Sequence, residues 1–195
     1  MLLLFLVVFP TISYIYLKSG YDYRVEAMQE LREHGPLPAM PAHNFFGDTL
    51  DQKTPGEQVV LLHFVDLAND EQRQIMGKNM GDIHEQFDGL SQVVFWAGFD
   101  QADSAAVRAF LKNYRLQDPE QYLVFSRDEL TGNYDFLEGG ITAEPYVMLA
   151  DTSGMIRNVY NLRHGKELVR MIEHVTYLMP QDEEQEAIIK PEQEL

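Results

Sequence analysis

Three side chains that could hold a soft metal ion recur at helical spacing in the first half of the chain. Met76, Met80 and His84 lie four residues apart, so they form one stripe on a helix. Two thioethers and an imidazole are ligands that suit Cu(I). The same spacing is typical of side chains that pack into a core. The sequence therefore favours a packing role for the stripe, with a copper site as the alternative, and no cofactor is predicted.

The composition excludes several kinds of chemistry. The 195 residues include no cysteine, so the chain has no disulfide, no thiolate nucleophile and no thiolate metal site. It contains no Gly-x-Gly-x-x-Gly, Walker, Gly-x-Ser-x-Gly or His-Glu-x-x-His motif, and we predict that the chain is not an enzyme. Its 31 acidic and 15 basic residues give a net charge of −16, which argues against a nucleic-acid partner.

The first 17 residues form an apolar segment. Residues 1–17 carry no charge and are followed by Lys18. At about 1.5 Å per residue the segment reaches roughly 25 Å, the short end of the range that spans a membrane. No small-x-small cleavage motif follows it, and four tyrosines are typical of an aromatic belt at a membrane interface: Tyr14, Tyr16, Tyr21 and Tyr23. We therefore favour an uncleaved transmembrane anchor over residues 1–18, with a cleaved signal peptide as the alternative.

Changes in composition divide the rest of the chain. A short amphipathic pattern followed by a proline-rich stretch predicts a juxtamembrane stalk and linker over residues 19–37. Apolar runs then alternate with helical patterns between residues 38 and 180, where we predict the folded domain. Residues 181–195 are acidic and poor in apolar side chains, which predicts a disordered tail.

The order of the patterns in residues 38–180 predicts the fold class. Two buried strands joined by a helix are parallel, and the right-handed crossover rule fixes how the next helix and strand follow. The turn sequence Asp151–Gly154 joins the last two strands as an antiparallel hairpin. The order β-α-β-α-β-β-α is that of an α/β, thioredoxin-like domain with a central mixed sheet flanked by helices. The predicted strands are 58–65, 93–99, 122–125, 146–150 and 156–160, and the predicted helices are 70–87, 104–114 and 165–179.

Three segments of this domain resemble the Sco/SenC family. VVLLHFVDLANDEQRQIMGKNMGDIHEQF is similar to the family's strand that enters a Cys-x-x-x-Cys loop and a helix with two methionines. VVFWAGFDQADSAAVRAFLKNY resembles its next strand and helix, and EPYVMLADTSGMIRNVYN resembles its final hairpin. The resemblance implies a membrane-tethered thioredoxin-like domain that helps to assemble the binuclear copper centre of cytochrome c oxidase. It also implies a location outside the cytoplasm, whereas the positive-inside rule applied to Lys18 and Arg24 alone would weakly favour the cytoplasm.

The chain departs from this family at the site that carries the family's chemistry. If Met76 and Met80 are aligned with the family's two methionines, its two cysteines fall on Asn69 and Arg73. The family's copper-ligating histidine falls on Ala143. None of these three side chains can replace a thiolate or an imidazole as a Cu(I) ligand. Copper binding and redox activity are therefore not expected.

Local rules predict roles for three residues near this degenerate site. Asn69 precedes a predicted helix and is expected to be its N-cap. Pro145 occupies the position of the cis-proline of thioredoxin-like proteins, and the resemblance implies a cis peptide bond there. His63 lies in the middle of a predicted strand, and we expect it to be a hydrogen-bonded interior group.

Three functional hypotheses follow from the sequence. The favoured one is a membrane-anchored, redox-inactive Sco-like domain that binds protein partners, with respiratory-complex subunits as candidates. The first alternative is a copper metallochaperone with a rebuilt Met/His site. The second is a peroxiredoxin-like or TlpA-like module that has also lost its cysteines.

Overall fold

The described part of the chain covers most of the predicted domain. The computed structural model describes residues 2–50, 58–100 and 103–180, without the side chains of residues 2–7. The acidic tail predicted at 181–195 lies outside the described residues. The chain divides into two compact units, Met1–Arg32 and Glu33–Leu195.

The first unit contains one long helix. Helix α1 spans Leu2–Gln29 and includes Pro10. In the stretches of chain that the structure covers, no helix combines length with enough apolar character to cross a membrane. This finding gives no support to the anchor predicted over residues 1–18, whose first side chains lie outside the described part.

The second unit is built on a mixed sheet. In the described residues the sheet has six strands in the order β1-β6-β5-β2-β3-β4. Strands β2, β3 and β4 are parallel, β5 is antiparallel to β2, and β6 is antiparallel to both β5 and β1. This is the predicted arrangement of parallel strands followed by a hairpin. The strands are β1 Gly35–Pro36, β2 Val59–Val65, β3 Val93–Phe99, β4 Tyr122–Ser126, β5 Tyr146–Ala150 and β6 Met155–Asn161.

Strand β1 is a correction to the predicted linker over residues 19–37. Gly35 pairs with Ile156 and Pro36 with Met155, at the outer side of β6. Proline is tolerated there because an edge strand needs fewer backbone donors. The linker residues therefore extend the sheet by one short strand.

The helices that follow β2 and β6 lie on the same face of the sheet. His63 is paired with Val147, which is paired with Tyr160, so these three side chains share a face. Tyr160 contacts His174, whose ring nitrogen lies 2.6 Å from the tyrosine hydroxyl. On the same face the ring of His84 lies 5.5 Å from the ring of Phe95 on β3, measured between centroids. The helices are α2 Asp70–Phe87, α3 Ser104–Asn113 and α4 Gly165–Leu178.

Helix α3 packs on this face as well, in close contact with α2. The ring of Phe110 packs edge-on against Phe99 at 5.4 Å. A Cβ atom at Gly77 would lie 2.3 Å from the ring of Tyr114, and one at Gly81 would lie 2.6 Å from the Tyr114 carbonyl oxygen. Any larger residue would push the end of α3 away, which explains two glycines inside a helix that they would otherwise weaken.

Loops cover the opposite face of the sheet in the described part of this unit. Leu130 and Leu137, from the connection between β4 and β5, are buried against the sheet. A Cβ atom at Gly98 would lie 2.5 Å from the side chain of Phe64 and 3.2 Å from that of Leu130. The buried cluster consists of Val60, Leu62, Phe64, Val94, Trp96, Phe125, Leu130, Leu137, Met148, Ala150 and Ile156.

The topology gathers several loops at one end of the sheet. The parallel strands end there at Val65, Phe99 and Ser126. Strand β5 begins there at Tyr146, and β6 ends there at Asn161. We name this the carboxyl end; its loops include residues 66–69, 142–145 and 162–164.

Candidate functional site

Asn69 and Arg73, the positions aligned with the family's cysteines, lie at the start of α2. Asn69 has an extended backbone, and its side chain accepts a hydrogen bond of 3.1 Å from the Gln72 backbone N–H. The predicted N-cap is therefore confirmed. The Arg73 N–H donates to the Asn69 carbonyl over 2.9 Å, so the two residues lie one helical turn apart at the carboxyl end.

The side chain of Arg73 is held by its own loop. Its guanidinium donates to the Leu67 carbonyl over 2.9 Å and pairs with the Asp70 carboxylate at 2.7 Å. Both contacts are made within the segment that leads into α2. Arg73 thus stabilises the shape of the loop and offers neither a nucleophile nor a metal ligand.

Gln72 is the functional-site residue that the sequence analysis missed. It is only 1% exposed. Its side-chain amide donates to the carbonyls of Thr142 and Glu144, both at 3.3 Å, and its oxygen accepts from the Asp66 N–H at 3.3 Å. Gln72 precedes Met76 by four residues, so the helical spacing places it in the same buried stripe. A polar side chain at such a position indicates buried hydrogen bonds, and this signal in the sequence would have predicted its role.

Ala143, the position aligned with the family's histidine, lies in an exposed turn at the same end. Its N–H donates to the Gly140 carbonyl over 3.3 Å. Its two neighbours, Thr142 and Glu144, are the residues whose carbonyls bind Gln72. The structure therefore brings the three degenerate family positions to one end of the sheet, where a methyl group replaces the ligand.

The expectation of a cis peptide bond before Pro145 is wrong. The described part of the chain contains no cis peptide bond, and the bond between Glu144 and Pro145 is trans, the lower-energy form for X–Pro bonds. Pro145 is buried, and its carbonyl accepts from the Leu162 N–H over 3.0 Å. Its contact is with the loop after β6.

Arg163 joins the outer sides of the same loops. Its guanidinium donates to the carboxylate of Glu144 at 2.5 Å and also to that of Glu71. Hydrogen bonding to Arg163 lowers the pKa of the Glu144 carboxyl, and hydrogen bonding to the two glutamates raises the pKa of Arg163. The start of α2, the turn before β5 and the loop after β6 are thus connected by ion pairs as well as by Gln72.

The methionine stripe lies away from these loops. Met76 and Met80 have no exposed surface, as the packing interpretation predicts. His84 is 7% exposed, and its Nε2 lies 3.8 Å from a carboxylate oxygen of Asp118. Within the described residues no three His, Cys, Asp or Glu side chains are grouped so that they could hold a metal ion.

His63 is an interior group, as predicted. Its Nε2 lies 2.7 Å from the hydroxyl of Tyr122, and both side chains are buried. Burial lowers the pKa of His63 to about 4 and raises that of Tyr122. The imidazole is therefore neutral at pH 7, and the pair joins β2 to β4 without a charge.

Comparisons with known proteins identify the fold. No family model matches the chain, and no curated protein matches it. A solved disulfide isomerase-like protein from Bacteroides thetaiotaomicron matches with a TM-score of 0.56 at 14% identity, over 80% of this chain and 95% of that one. The fold is thioredoxin-like.

Sco structures match at a similar level. A SCO1/SenC family lipoprotein from Bacillus anthracis has a TM-score of 0.54 at 13% identity, covering 76% of this chain and 95% of its own. BsSco, described as a member of the Sco family of cytochrome c oxidase assembly proteins, has a TM-score of 0.51 at 13% identity, over 76% of this chain and 94% of that one. Likeness at this level of identity shows the fold alone.

The chemistry available at the carboxyl end is hydrogen bonding and ion pairing. Thiol–disulfide exchange needs a thiolate, and the chain has no cysteine. The side chains of Asn69 and Arg73 bind backbone groups of their own segment, and Arg73 also pairs with Asp70. This arrangement can present a fixed polar surface.

Proposed function

We propose that this chain is a redox-inactive thioredoxin-fold domain that works by binding other proteins, as an assembly factor. The observation that carries the proposal is that the side chains of Asn69, Gln72 and Arg73 are hydrogen-bonded to backbone groups of the surrounding loops. Asn69 and Arg73 lie where the aligned family has its cysteines, Gln72 lies between them, and each of these side chains is already used for structure. Thiol–disulfide exchange at this end of the molecule therefore has no group to act, whereas recognition of a protein surface needs none.

We further propose that the partners are subunits of a respiratory oxidase. The three sequence segments resemble Sco/SenC proteins, and the solved structures of that family share the fold. A disulfide isomerase-like structure shares the fold equally well, so the choice between the two families is supported by the sequence segments. Copper delivery is not part of the proposal, because Asn69, Arg73 and Ala143 offer no soft ligand.

A pull-down tests this function. The full-length tagged chain is recovered from detergent-solubilised membranes and scored for cytochrome oxidase subunits, with a tagged thioredoxin-fold domain that has an intact cysteine pair as the control. We expect oxidase subunits to be enriched over the control, and equally so with a thiol reductant or a copper chelator present. No enrichment would refute the proposed partner, and loss of enrichment with chelator or reductant would refute the proposed mechanism.

Membrane attachment with the folded domain outside the cytoplasm is a separate proposal. It is supported by the uncharged residues 1–17 and by the Sco resemblance. We expect the chain to stay in the membrane fraction after a carbonate wash, and a reporter fused after residue 180 to be active only outside the cytoplasm. A soluble form beginning near residue 20, or a reporter active in the cytoplasm, would contradict it.

A further inference from the structure

Gln72 is a fully hydrogen-bonded polar group in a buried stripe. With Met76, Met80 and His84 it occupies successive positions four residues apart, all buried. A buried side-chain amide is costly unless its hydrogen bonds are made. Both its amide nitrogen and its oxygen are used, in two donated bonds and one accepted bond.

The three bonds join segments that are distant along the chain. The acceptors Thr142 and Glu144 are 70 and 72 residues from Gln72, and the donor Asp66 is six residues before it. One side chain therefore connects the end of β2, the first turn of α2 and the turn that leads into β5. All three partners are backbone groups, so the contact does not depend on which side chains the loops carry.

We infer that Gln72 is a clasp that holds the loops of the carboxyl end in one arrangement, independent of redox state. In the Sco register the clasp lies between the two positions where the aligned family has cysteines. Arg163 supplements it from outside through Glu71 and Glu144, which are adjacent in sequence to Gln72 or among its partners. The surface that this end presents thus has a single form. The inference does not depend on the proposed partner.

Amide hydrogen exchange in the full-length chain tests the clasp. Gln72→Met keeps the length and apolar stem of the side chain and removes its three hydrogen bonds. We expect exchange at the Asp66 amide to be at least about tenfold faster, because its acceptor on Gln72 is lost. Exchange at the Tyr146 amide should rise by a similar factor, because its acceptor, the Glu144 carbonyl, is no longer held in place by Gln72. Amides in the β2–β3 ladder should keep their wild-type rates. Gln74→Ala, at an exposed position on the same helix, is the matched control and should change neither set.

Two outcomes would overturn the inference. One is wild-type exchange at Asp66 and Tyr146 in Gln72→Met. The other is acceleration spread equally over β2 and β3, which would show general destabilisation and not a local clasp. A second measurement uses the unmodified chain and does not depend on how the variant folds. The side-chain amide hydrogens of Gln72 should exchange at least about tenfold more slowly than those of exposed Gln74, and equal rates would also overturn the inference.

Discussion

A buried glutamine binds each end of α2, and the two glutamines connect different parts of the chain. At the C-terminal end, the side-chain amide of Gln121 donates to the carbonyls of Phe87, Leu90 and Val93, at 2.8, 3.1 and 3.0 Å. These acceptors are the last residue of α2, a residue of the short connection that follows and the first residue of β3. At the N-terminal end, Gln72 instead connects loops that are some 70 residues apart.

The two glutamines differ in that one completes a helix end and the other connects distant loops. The last carbonyls of any helix lack partners inside the helix, and Gln121 satisfies one of them at Phe87. The N-terminal end of α2 needs no such long-range contact, because Asn69 already caps it. Gln72 therefore has a different role. It connects loops that align with the reactive loops of Sco/SenC proteins in the sequence resemblance.

We expect the largest change in stability on substitution of Met80, which lies in α2 between its two ends. Met80→Ala empties a fully buried position and should lower the free energy of unfolding by about 2–5 kcal/mol. Met80→Leu keeps the volume and should cost less than about 1.5 kcal/mol. Urea denaturation measures both values. The packing role would be refuted if both variants kept full stability while the wild-type chain alone bound Cu(I) tightly.

The two glutamines themselves can be compared by substitution. Gln121→Ala removes the hydrogen bonds to the carbonyls of Phe87, Leu90 and Val93 and should lower the free energy of unfolding by about 1–3 kcal/mol. The loss should appear as global destabilisation in chemical denaturation, in contrast to the local release expected for Gln72→Met. Glu120→Ala, at the exposed neighbouring position, is the control. Equal and purely local effects at both glutamines would show that Gln121 and Gln72 have the same role.

The layer beneath α2 offers a test by pH. His63 has a folded-state pKa of about 4, below the value near 6.5 of an exposed histidine. The unfolded chain therefore binds more protons between pH 6.5 and pH 4, and the contribution of His63 to stability is present above this window and lost as pH falls through it. Between pH 7 and pH 5 the wild type should lose about 2 kcal/mol more than His63→Gln, which cannot titrate.

Chemical denaturation at the two pH values measures this difference. His164→Gln, at an exposed position in the loop after β6, is the matched control and should follow the wild type. Equal pH dependence in the wild type and His63→Gln would show that His63 is not held neutral by the fold.

Sequence periodicity is enough to place elements that bury a continuous face. The pattern over residues 70–87 predicts α2, which spans Asp70–Phe87, and the helix predicted at 165–179 ends only one residue earlier, at Leu178. Sequence periodicity does not predict strand β1. Gly35 and Pro36 carry no apolar pattern, and their place in the sheet depends on backbone pairing with β6.

In the candidate site, too, the sequence predicts local contacts and misses long-range ones. The cap at Asn69 follows a local rule that depends only on neighbouring residues. The role of Gln72 does not follow a local rule. Periodicity predicts that a polar side chain is exposed, and the partners of Gln72 at Thr142 and Glu144 are distant in sequence. The cis expectation at Pro145 was carried over from a fold analogy, and the geometry of this chain contradicts it.

The smallest net change in stability is expected where the lost cysteines are restored. In Asn69→Cys with Arg73→Cys the two positions lie one helical turn apart, joined by the Arg73 N–H bond to the Asn69 carbonyl. This spacing is compatible with the Cα separation of about 4.4–6.8 Å that a disulfide requires. We therefore expect an internal disulfide under mild oxidation, detected by the loss of two free thiols.

Closing so short a loop contributes about 2 kcal/mol, and losing the Asn69 cap removes about 1 kcal/mol. The contacts of Arg73 with Leu67 and Asp70 are lost as well, so the oxidised variant should be within about 1 kcal/mol of the wild type. Adding Ala143→His should restore only weak copper binding, because the supporting contacts of a metal site are missing. A pair that stays reduced under these conditions would refute the Sco register. The cysteine-less TlpA-like alternative would then be the better account of this end of α2.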